Sequence, residues 1–230
     1  MGAVFFDLYE TLITENHPEW FGDVSLAERL AVDEDIWHRE WRLRHQARMT
    51  GQIPDHGAVL RQICEVAGVA PPAGRIKRLV AERIESKARP FERVESDVIE
   101  MLQALRQHDL SVGLITNCTQ EEAAAWDASP FADLVDVAVF SYQVDVIKPD
   151  PEIYTFACGR LGVEPADAHF VGDGGSDELR GARAAGLQPI WATWFIERWP
   201  WDWPASVADT AAAFPRCSTV GDLPGLLGVR

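Results

Sequence analysis

Four polar side chains that could act together stand at the ends of apolar segments far apart in this sequence. They are Asp7 after AVFF, Thr116 at the end of SVGLIT, Lys148 within VIKPDPEIY, and Asp173 after AHFVG. A carboxylate beside an ammonium and a hydroxyl can act as a nucleophile whose reacting group is bound and charge-balanced by its neighbours. Each residue alone also suits an ordinary turn, strand end or helix cap, so the prediction depends on all four lying together.

The residue two positions after Asp7 decides which chemistry is expected, and in the stretch VFFDLYETLIT it is Tyr9. A second carboxylate here would supply a general acid and base, whereas a tyrosine with its usual pKa near ~10 is a poor base at neutral pH. Glu10 comes next, but its neighbouring position directs its side chain elsewhere. The stretch therefore indicates a site with one acid missing, a site for other chemistry, or no site.

Five short apolar runs predict strands that are covered on both faces, because each run is continuous rather than alternating. They are AVFF (3–6), SVGLIT (111–116), VDVAVF (135–140), AHFVG (168–172) and QPIWAT (188–193). Helical patterns lie between the later runs, namely EEAAAWDA, PEIYTFACGRLG and DELRGARAAG. This alternation predicts an α/β fold with a doubly wound parallel sheet. Ligands bind beyond the carboxyl ends of such strands, so the four polar residues are expected to meet at one edge.

Residues 15–90 interrupt this alternation with amphipathic helical segments and no convincing strand. The segments are SLAERLAV, DEDIWHREWRLRHQARM, HGAVLRQICEVAG and GRIKRLVAERIESKA. Their apolar stripes must be buried against each other or against the sheet. We predict an all-helical inserted domain at 15–90 and a core domain formed by 1–14 together with 91–230.

Composition limits the partners that this chain is expected to bind. A net charge of -15 in 230 residues disfavours general binding to nucleic acid or anionic membranes, because both select for Lys and Arg surfaces. No apolar run approaches the ~20 residues of a membrane span, and the N-terminus has no signal pattern. We therefore expect a soluble, cytoplasmic protein that acts on a small molecule, with neither nucleic acid nor membrane as a partner.

The cysteines give a second indication of the compartment. Cys64, Cys118, Cys158 and Cys217 form no CxxC pair, and no histidine lies at zinc spacing from them. In a chain of this length, scattered cysteines predict free thiols in a reducing compartment.

The motifs together resemble the haloacid dehalogenase-like (HAD) hydrolase superfamily. Its D-x-D-x-T motif is similar to FFDLYETL, its strand ending in Ser or Thr to LITN, its lysine motif to KPDPEIY, and its GDxxxD motif to VGDGGSDE. The helical insert stands where that family has its first-type cap. The resemblance covers nearly the whole chain and implies a Rossmann-like core with a helical cap domain.

The resemblance also implies a role for each motif residue. Asp7 is expected to be the nucleophile, and Lys148 is expected to hold its carboxylate. Thr116 and nearby backbone N–H groups would bind phosphoryl oxygens, while Tyr9 stands at the general acid/base position. The predicted substrate-binding residues are Thr11, Thr116, Asn117 and Lys148. The predicted Mg²⁺ ligands are Asp7, the backbone carbonyl of Tyr9, Asp173 and Asp177, with Asp177 as an alternative partner for Lys148.

Two reactions and a non-catalytic role stay open. The Tyr9 position is an aspartate in the family's phosphatases but commonly a tyrosine in its 2-haloacid dehalogenases, which form an ester on the first-motif aspartate. Those dehalogenases work without metal, and their fourth motif resembles S-S-N-x-x-D, where this chain has Asp173. Carboxylates crowded around one lysine favour a divalent metal. We therefore expect a Mg²⁺-dependent phosphatase that acts on a small phosphorylated metabolite through an aspartyl-phosphate on Asp7. The third alternative is a binding module that retains the metal and holds a partner.

The cap is expected to select the substrate. An arginine on WHREWRLRHQARM could bind a substrate carboxylate or phosphate with two hydrogen bonds, the candidates being Arg42, Arg44 and Arg48. Without a second aspartate, the phosphatase is expected to be slow, restricted to good leaving groups such as acyl phosphates, or supplied with an acid by the cap. The Trp-rich FIERWPWDWP (195–204) predicts a rigid loop that covers the sheet edge or forms a homodimer contact.

Overall fold

A parallel sheet forms the centre of the protein in this computed structural model, which describes residues 2–17, 20, 24–199 and 213–229. Its strands in the described part are β1 (Ala3–Phe6), β2 (Ser111–Thr116), β3 (Val137–Phe140), β4 (Ala168–Gly172), β5 (Gln188–Ala192) and β6 (Arg216–Cys217). Their order across the sheet is β3-β2-β1-β4-β5-β6, and all neighbouring pairs are parallel. The α/β prediction is confirmed, with β3 two residues shorter and β5 one residue shorter than expected. The two-residue β6 was not predicted.

Among the described residues, five α-helices follow β1 and precede α6 (Ser96–Gln107). They are α1 (Leu26–Leu30), α2 (Glu34–Leu43), α3 (His45–Met49), α4 (His56–Val66) and α5 (Arg75–Glu92). They have a hydrophobic core of their own, in which Trp37, Leu60 and Leu79 are buried together. The long helix expected over DEDIWHREWRLRHQARM is interrupted between α2 and α3 at Arg44, which has φ -93° and ψ 4°. The division at residues 14 and 90 stays a prediction, and α5 continues two residues beyond it.

The remaining helices cover both faces of the sheet. They are α6 (Ser96–Gln107), α7 (Gln120–Ala123), α8 (Ser141–Val144), α9 (Pro151–Leu161), α10 (Glu178–Ala184) and α11 (Leu223–Leu226). Val4 and Phe6 of β1 pack into one hydrophobic core, while Ala3 and Phe5 pack into a second core on the other face. Since both faces of β1 are buried, its sequence is a continuous apolar run. The helix α6 was not predicted from the sequence.

The position of β1 at the centre of the sheet places the predicted nucleophile. The Asp7 backbone N–H donates to the Val171 carbonyl oxygen at 2.9 Å, which continues the pairing of β1 with β4 by one residue. Thr116 ends β2 on the other side of β1. The carboxyl ends of these three strands therefore deliver Asp7, Thr116 and Asp173 to the same edge.

Three further expectations concern the rest of the chain. All four cysteines are free and buried, as predicted. No helix among the described residues is both long enough and apolar enough to cross a membrane. In the Trp-rich segment, a short 3-10 helix spans Ile196–Arg198, and the segment is described as far as Trp199. Trp201 and Trp203, on which the interface expectation also rests, lie outside the described residues.

Candidate active site

A cavity of about 170 Å³ at the carboxyl edge of the sheet brings most of the predicted site together. Its lining includes six of the eight predicted residues, namely Asp7, Tyr9, Thr116, Asn117, Lys148 and Asp173. Glu10 and Glu178 also line it. The two predicted residues that do not line it are Thr11 and Asp177, and each requires a correction.

Lys148 is the central cation of this cavity. Its ammonium donates to Asp7 Oδ1 at 2.5 Å and to Glu178 Oε2 at 2.5 Å, and only 2% of its side chain is exposed. Burial alone would lower the pKa of Lys148, but the carboxylates of Asp7 and Glu178 outweigh it and raise that pKa above its usual value. Lys148 therefore keeps its positive charge beside the predicted nucleophile.

Glu178, which the sequence prediction missed, occupies the place expected for Asp177. Ser176 and Asp177 both have φ 54°, so the chain turns through two left-handed residues immediately before α10. Asp177 lies outside the acidic cluster at the cavity; 51% of its side chain is exposed, and it pairs with Arg180 at 3.3 Å. The expectation that Asp177 pairs with Lys148 is wrong, because the turn presents the following residue to the lysine instead.

Gly172 is the sequence feature that accompanies Glu178, but it does not by itself distinguish Glu178 from Asp177. A Cβ at residue 172 would lie 2.0 Å from Glu178 Oε1, so a larger residue would displace that carboxylate. Gly172 thus leaves room for the side chain of an acid six positions later in the chain. An acid is present both five and six positions after this glycine, and the backbone turn selects the second.

Three carboxylates around one lysine form a group that can hold a metal ion. Asp7, Asp173 and Glu178 each offer an oxygen, and these oxygens all lie within 4.8 Å of one another. Burial and then the nearby Asp7 carboxylate raise the pKa of Asp173 to about 7. Burial and Asp7 likewise raise the pKa of Glu178. The single ammonium does not balance this cluster, and an all-oxygen donor set suits Mg²⁺. The residues present fit the predicted ion, with Glu178 in place of Asp177.

Thr116 has a hydroxyl that is available to a ligand. Its side chain is buried in the cavity wall, and Oγ1 has no hydrogen-bond partner among the described residues. Because a buried hydroxyl without a partner is costly, an oxygen of a bound substrate would satisfy it. Thr11 is also completely buried but does not line the cavity; its carbonyl oxygen accepts from Trp194 Nε1 at 2.9 Å. The geometry therefore does not support the predicted contact of Thr11 with substrate.

Asn117 positions Lys148 through both ends of its side-chain amide. Its Oδ1 accepts from the Lys148 backbone N–H at 2.8 Å, and its Nδ2 donates to the Lys148 carbonyl oxygen at 2.8 Å. Asn117 lines the cavity, as expected of a substrate-binding residue, but its amide is already used in holding the lysine loop. We therefore interpret its side chain as a support for Lys148.

Tyr9 lines the cavity, but its hydroxyl is directed towards α7 of the sheet domain. The hydroxyl donates to the Glu122 backbone oxygen at 3.0 Å, and the Lys87 ammonium lies 5.2 Å from the ring centroid. Burial, followed by the charge of Glu122, raises the pKa of Tyr9 well above its usual value. The phenol therefore stays neutral and is already hydrogen-bonded, which is unsuitable for a general base. The Tyr9 carbonyl stays a predicted metal ligand.

Glu10 lines the same cavity but is held by its own segment. Its carboxylate accepts from the Thr14 hydroxyl at 2.8 Å, the Glu15 backbone N–H at 2.8 Å and Trp199 Nε1 at 3.1 Å. Burial raises the pKa of Glu10. These three hydrogen bonds use both carboxylate oxygens, so Glu10 maintains the turn after Asp7.

Comparison with known proteins supports a common family for this sheet and cavity. A family model described as haloacid dehalogenase-like hydrolase matches residues 1–186. The chain is 28% identical over 159 residues to the phosphoserine phosphatase of Thermus thermophilus. The aligned region covers 69% of this chain and 62% of that enzyme. It is 26% identical over 199 residues to (S)-2-haloacid dehalogenase 1 of Pseudomonas sp. (strain CBS-3), covering 82% of each.

The fold also matches a solved structure over its whole length. The crystal structure of the 2-haloacid dehalogenase from Pseudomonas syringae pv. Tomato has a TM-score of 0.64 and 24% sequence identity. The match covers 99% of this chain and 98% of that one. At this identity the likeness concerns the fold alone. The curated relatives include both a phosphatase and a dehalogenase, and both are hydrolases.

Proposed function

The chain belongs to the haloacid dehalogenase-like hydrolases, and from that membership we propose that it is a Mg²⁺-dependent phosphatase with Asp7 as its nucleophile. The observation that carries this proposal is the buried group of Asp7, Asp173 and Glu178 around one lysine. Hydrolysis as the reaction class follows from the family. The phosphoryl substrate, the metal and the role of each residue are the proposal.

Charge balance supports a metal-dependent reaction over a metal-free one. The carboxyl groups of Asp173, which is partly exposed, and Glu178, which is buried, both have raised pKa values and lie close to Asp7, and a divalent cation would relieve the mutual repulsion of the three. Asp7, Asp173 and Glu178 would hold Mg²⁺, which when bound supplies positive charge for a transferring phosphoryl group. A metal-free dehalogenase has no need of this acidic group.

The side chains of the cavity are suited to a two-step displacement. An Asp7 carboxylate oxygen attacks phosphorus, the bond from phosphorus to the leaving oxygen breaks, and an aspartyl-phosphate forms on Asp7. Lys148 holds the Asp7 carboxylate in place, and the free hydroxyl of Thr116 donates to a phosphoryl oxygen. Water then attacks the phosphorus of the aspartyl-phosphate, which releases phosphate and restores Asp7.

The expected substrate is small and has a good leaving group. A cavity of about 170 Å³ has room for a phosphoryl group and little more. Tyr9 keeps its proton and donates a hydrogen bond to the Glu122 backbone oxygen, so it supplies no acid to a departing alkoxide. An acyl or aryl phosphate leaves without that help and is the preferred class.

Dehalogenation is the second candidate, and Tyr9 is the observation that favours it. In that reaction Asp7 attacks carbon, halide departs, and water hydrolyses the resulting ester. The tyrosine found at this position in 2-haloacid dehalogenases and the similarity to (S)-2-haloacid dehalogenase 1 both support it. The reaction would be independent of metal.

Product release from parallel substrate panels separates the two candidates. Phosphate release is measured from acyl, aryl and alkyl phosphates with Mg²⁺ and with EDTA, and chloride release from 2-chloropropionate. Asp7→Asn is the blank in each case. We expect phosphate release that requires Mg²⁺ and is lost in Asp7→Asn. Chloride release in EDTA would support dehalogenation instead, and metal binding without any turnover would support a binding role.

A further inference from the structure

A second polar cavity lies between the helical insert and the sheet domain, apart from the Asp7 cavity. Arg48, His56 and Arg83 line it from the insert, and Glu121 and Tyr142 line it from the sheet domain. It shares no lining residue with the Asp7 cavity. Its volume is about 10 Å³, which is room for roughly one water-sized atom.

The insert side of this cavity has buried nitrogen atoms that lack partners. Arg48 Nε, His56 Nε2 and Arg83 Nε are inaccessible to solvent and have no hydrogen-bond partner among the described residues. Arg48 is 5% exposed and His56 is 4% exposed. Buried polar groups in folded proteins are nearly always satisfied, so three unpartnered nitrogens at one cavity indicate a missing acceptor.

Arg48 is a buried cation without an acidic partner. Its guanidinium lies 3.7 Å from the centroid of the Trp41 ring, and no ion pair joins it to any carboxylate in the described part of the chain. Burial and the positive charge of Arg83 lower its pKa to about 10, so it stays protonated at neutral pH. A buried, charged and unpaired guanidinium is costly unless an anion joins it.

The acidic groups around the cavity are already engaged. Asp55 accepts from the Ala58 backbone N–H at 2.7 Å, and Glu121 accepts from the His56 backbone N–H at 2.6 Å. Glu122 accepts from Arg83 at 2.8 Å and lies 3.3 Å from the Lys87 ammonium. In the described part of the chain, none of these carboxylates forms an ion pair with Arg48.

A groove of about 560 Å³ lies next to this cavity, and His56 and Arg83 line both spaces. Arg29 and Arg89 also line the groove, and each forms an ion pair there, with Glu82 and Glu85 respectively. A small displacement of the His56 or Arg83 side chain would connect the groove to the buried nitrogens.

We propose that this cavity is an oxyanion site, in which one oxygen of a carboxylate or phosphate accepts hydrogen bonds from Arg48, His56 and Arg83. Burial and the two arginines lower the pKa of His56 to about 3, so it is neutral and can donate from Nε2 while carrying no competing charge. An oxyanion supplies an acceptor for these nitrogens and a counter-charge for Arg48. The proposal does not depend on the reaction that takes place at Asp7.

Tyr9 and Glu122 separate this site from the Asp7 cavity by a single layer of side chains. Tyr9 lines the Asp7 cavity and donates to the Glu122 backbone oxygen, while the Glu122 carboxylate pairs with Arg83. Two sources of the oxyanion are compatible with this position, namely a free anion and an anionic group of the substrate. Arg48 and Arg83 belong to the insert, and the cavity is also lined by the sheet domain. An oxyanion bound there would therefore link the insert to the sheet domain.

Calorimetric titration with inorganic phosphate and with acetate tests the proposal. The protein is the full chain with Asp7→Asn, in buffer treated with a chelating resin, so the result does not depend on turnover or on the Asp7 metal site. Arg48→Met removes the guanidinium, and the exposed Arg78→Met makes the same charge change elsewhere on the insert. We expect Arg48→Met to lose about tenfold or more in affinity and Arg78→Met to bind unchanged. Equal affinity in both variants, or no anion binding to either, would overturn the proposal.

Thermal denaturation without added anion gives an independent readout. If Arg48 is an unpaired buried cation, Arg48→Met melts at a higher temperature than the parent, and phosphate stabilises the parent more than it stabilises Arg48→Met. A lower melting temperature with unchanged phosphate stabilisation would show a purely structural arginine. Arg48→Lys keeps the positive charge but replaces the planar guanidinium with an ammonium group. We therefore expect this variant to retain part of the anion-dependent stabilisation.

Competition distinguishes the two sources of the oxyanion. If the anionic group belongs to the substrate, Arg48→Met raises KM for a substrate that has a second anionic group, with little change in kcat, and leaves KM unchanged for a substrate without that group. If the anion is separate, phosphate still stabilises protein saturated with substrate. Each result supports the oxyanion site and identifies its source.

Discussion

The Lys148 ammonium and the Glu178 carboxylate lie 2.5 Å apart, with 2% of each side chain exposed. The Asp7 carboxylate also lies 2.5 Å from the Lys148 ammonium. The lysine thus joins the end of β1 to the start of α10, and the carboxylates on either side of it are held close to Asp173. This arrangement makes Glu178 part of the site.

Substitution of Glu178 tests whether it belongs to the metal site. Glu178→Gln removes one charged oxygen donor, so we expect Mg²⁺ affinity to fall by about 10- to 100-fold. Asp177→Asn removes the neighbouring exposed carboxylate and should leave Mg²⁺ affinity unchanged. Calorimetric titration with Mg²⁺ measures both. Loss of affinity in Asp177→Asn but not in Glu178→Gln would contradict the assignment.

The metal should compete with a proton on Asp173. Its pKa is raised to about 7, so at lower pH the folded protein without metal holds a proton that Mg²⁺ must displace. We expect the gain in unfolding free energy on adding Mg²⁺ to be small near pH 5 and to grow up to about pH 8. Urea denaturation with Mg²⁺ and with EDTA measures this gain in unfolding free energy. Proton titrations that occur under both conditions cancel when the two free energies are subtracted.

Asp173→Asn is the control for this pH dependence, because an amide has no proton to displace. The unfolding free energy of Asp173→Asn in Mg²⁺ should differ little from its value in EDTA at every pH. A wild-type difference that does not vary with pH would show that Asp173 does not bind the ion.

Tyr9 has two informative replacements. Tyr9→Phe loses the hydrogen bond to Glu122, so we expect a stability cost of about 1 kcal/mol without a large change in turnover. Tyr9→Asp introduces an acid and base, and we expect faster hydrolysis of alkyl phosphates by up to ~10²–10⁴-fold. Steady-state kinetics and urea denaturation measure the two effects. Tyr9→Phe as an inactive but folded protein would mean that the phenol takes part in catalysis.

Thr116→Val should separate substrate binding from stability. The hydroxyl has no partner in the described residues, so its removal should leave stability unchanged or slightly higher. The same change removes a donor to the substrate, and we expect kcat/KM to fall by roughly 10- to 100-fold. Parallel loss of stability and activity would indicate that Thr116 is a structural residue instead.

The strands and the position of the site could be predicted from the sequence for a specific reason. Buried parallel strands leave continuous apolar runs, and the residues at their carboxyl ends must meet at one edge. Asp7, Thr116 and Asp173 were placed by this reasoning. Lys148 lies in a loop rather than at a strand end; it was expected at the same edge with the other three, and its resemblance to a family motif supported that placement.

Other features depend on information that the sequence pattern does not contain. The choice of Glu178 over Asp177 depends on two left-handed residues, and the two-residue β6 is too short to leave a pattern. The cavity at Arg48 depends on the packing of the insert against the sheet domain. The helix α6 is different, because Val98, Met101, Leu102 and Leu105 have a helical spacing that could have been recognised.

The most direct test of the account is detection of a phosphoryl group on Asp7. An acyl or aryl phosphate is mixed with excess enzyme and Mg²⁺, the reaction is stopped with acid within one turnover, and the peptide that contains Asp7 is measured by mass spectrometry. We predict that this peptide gains the mass of one phosphoryl group, and that EDTA or Asp7→Asn prevents the gain. Phosphate release without this adduct, or an ester formed on Asp7 from a 2-haloacid in EDTA, would contradict the account.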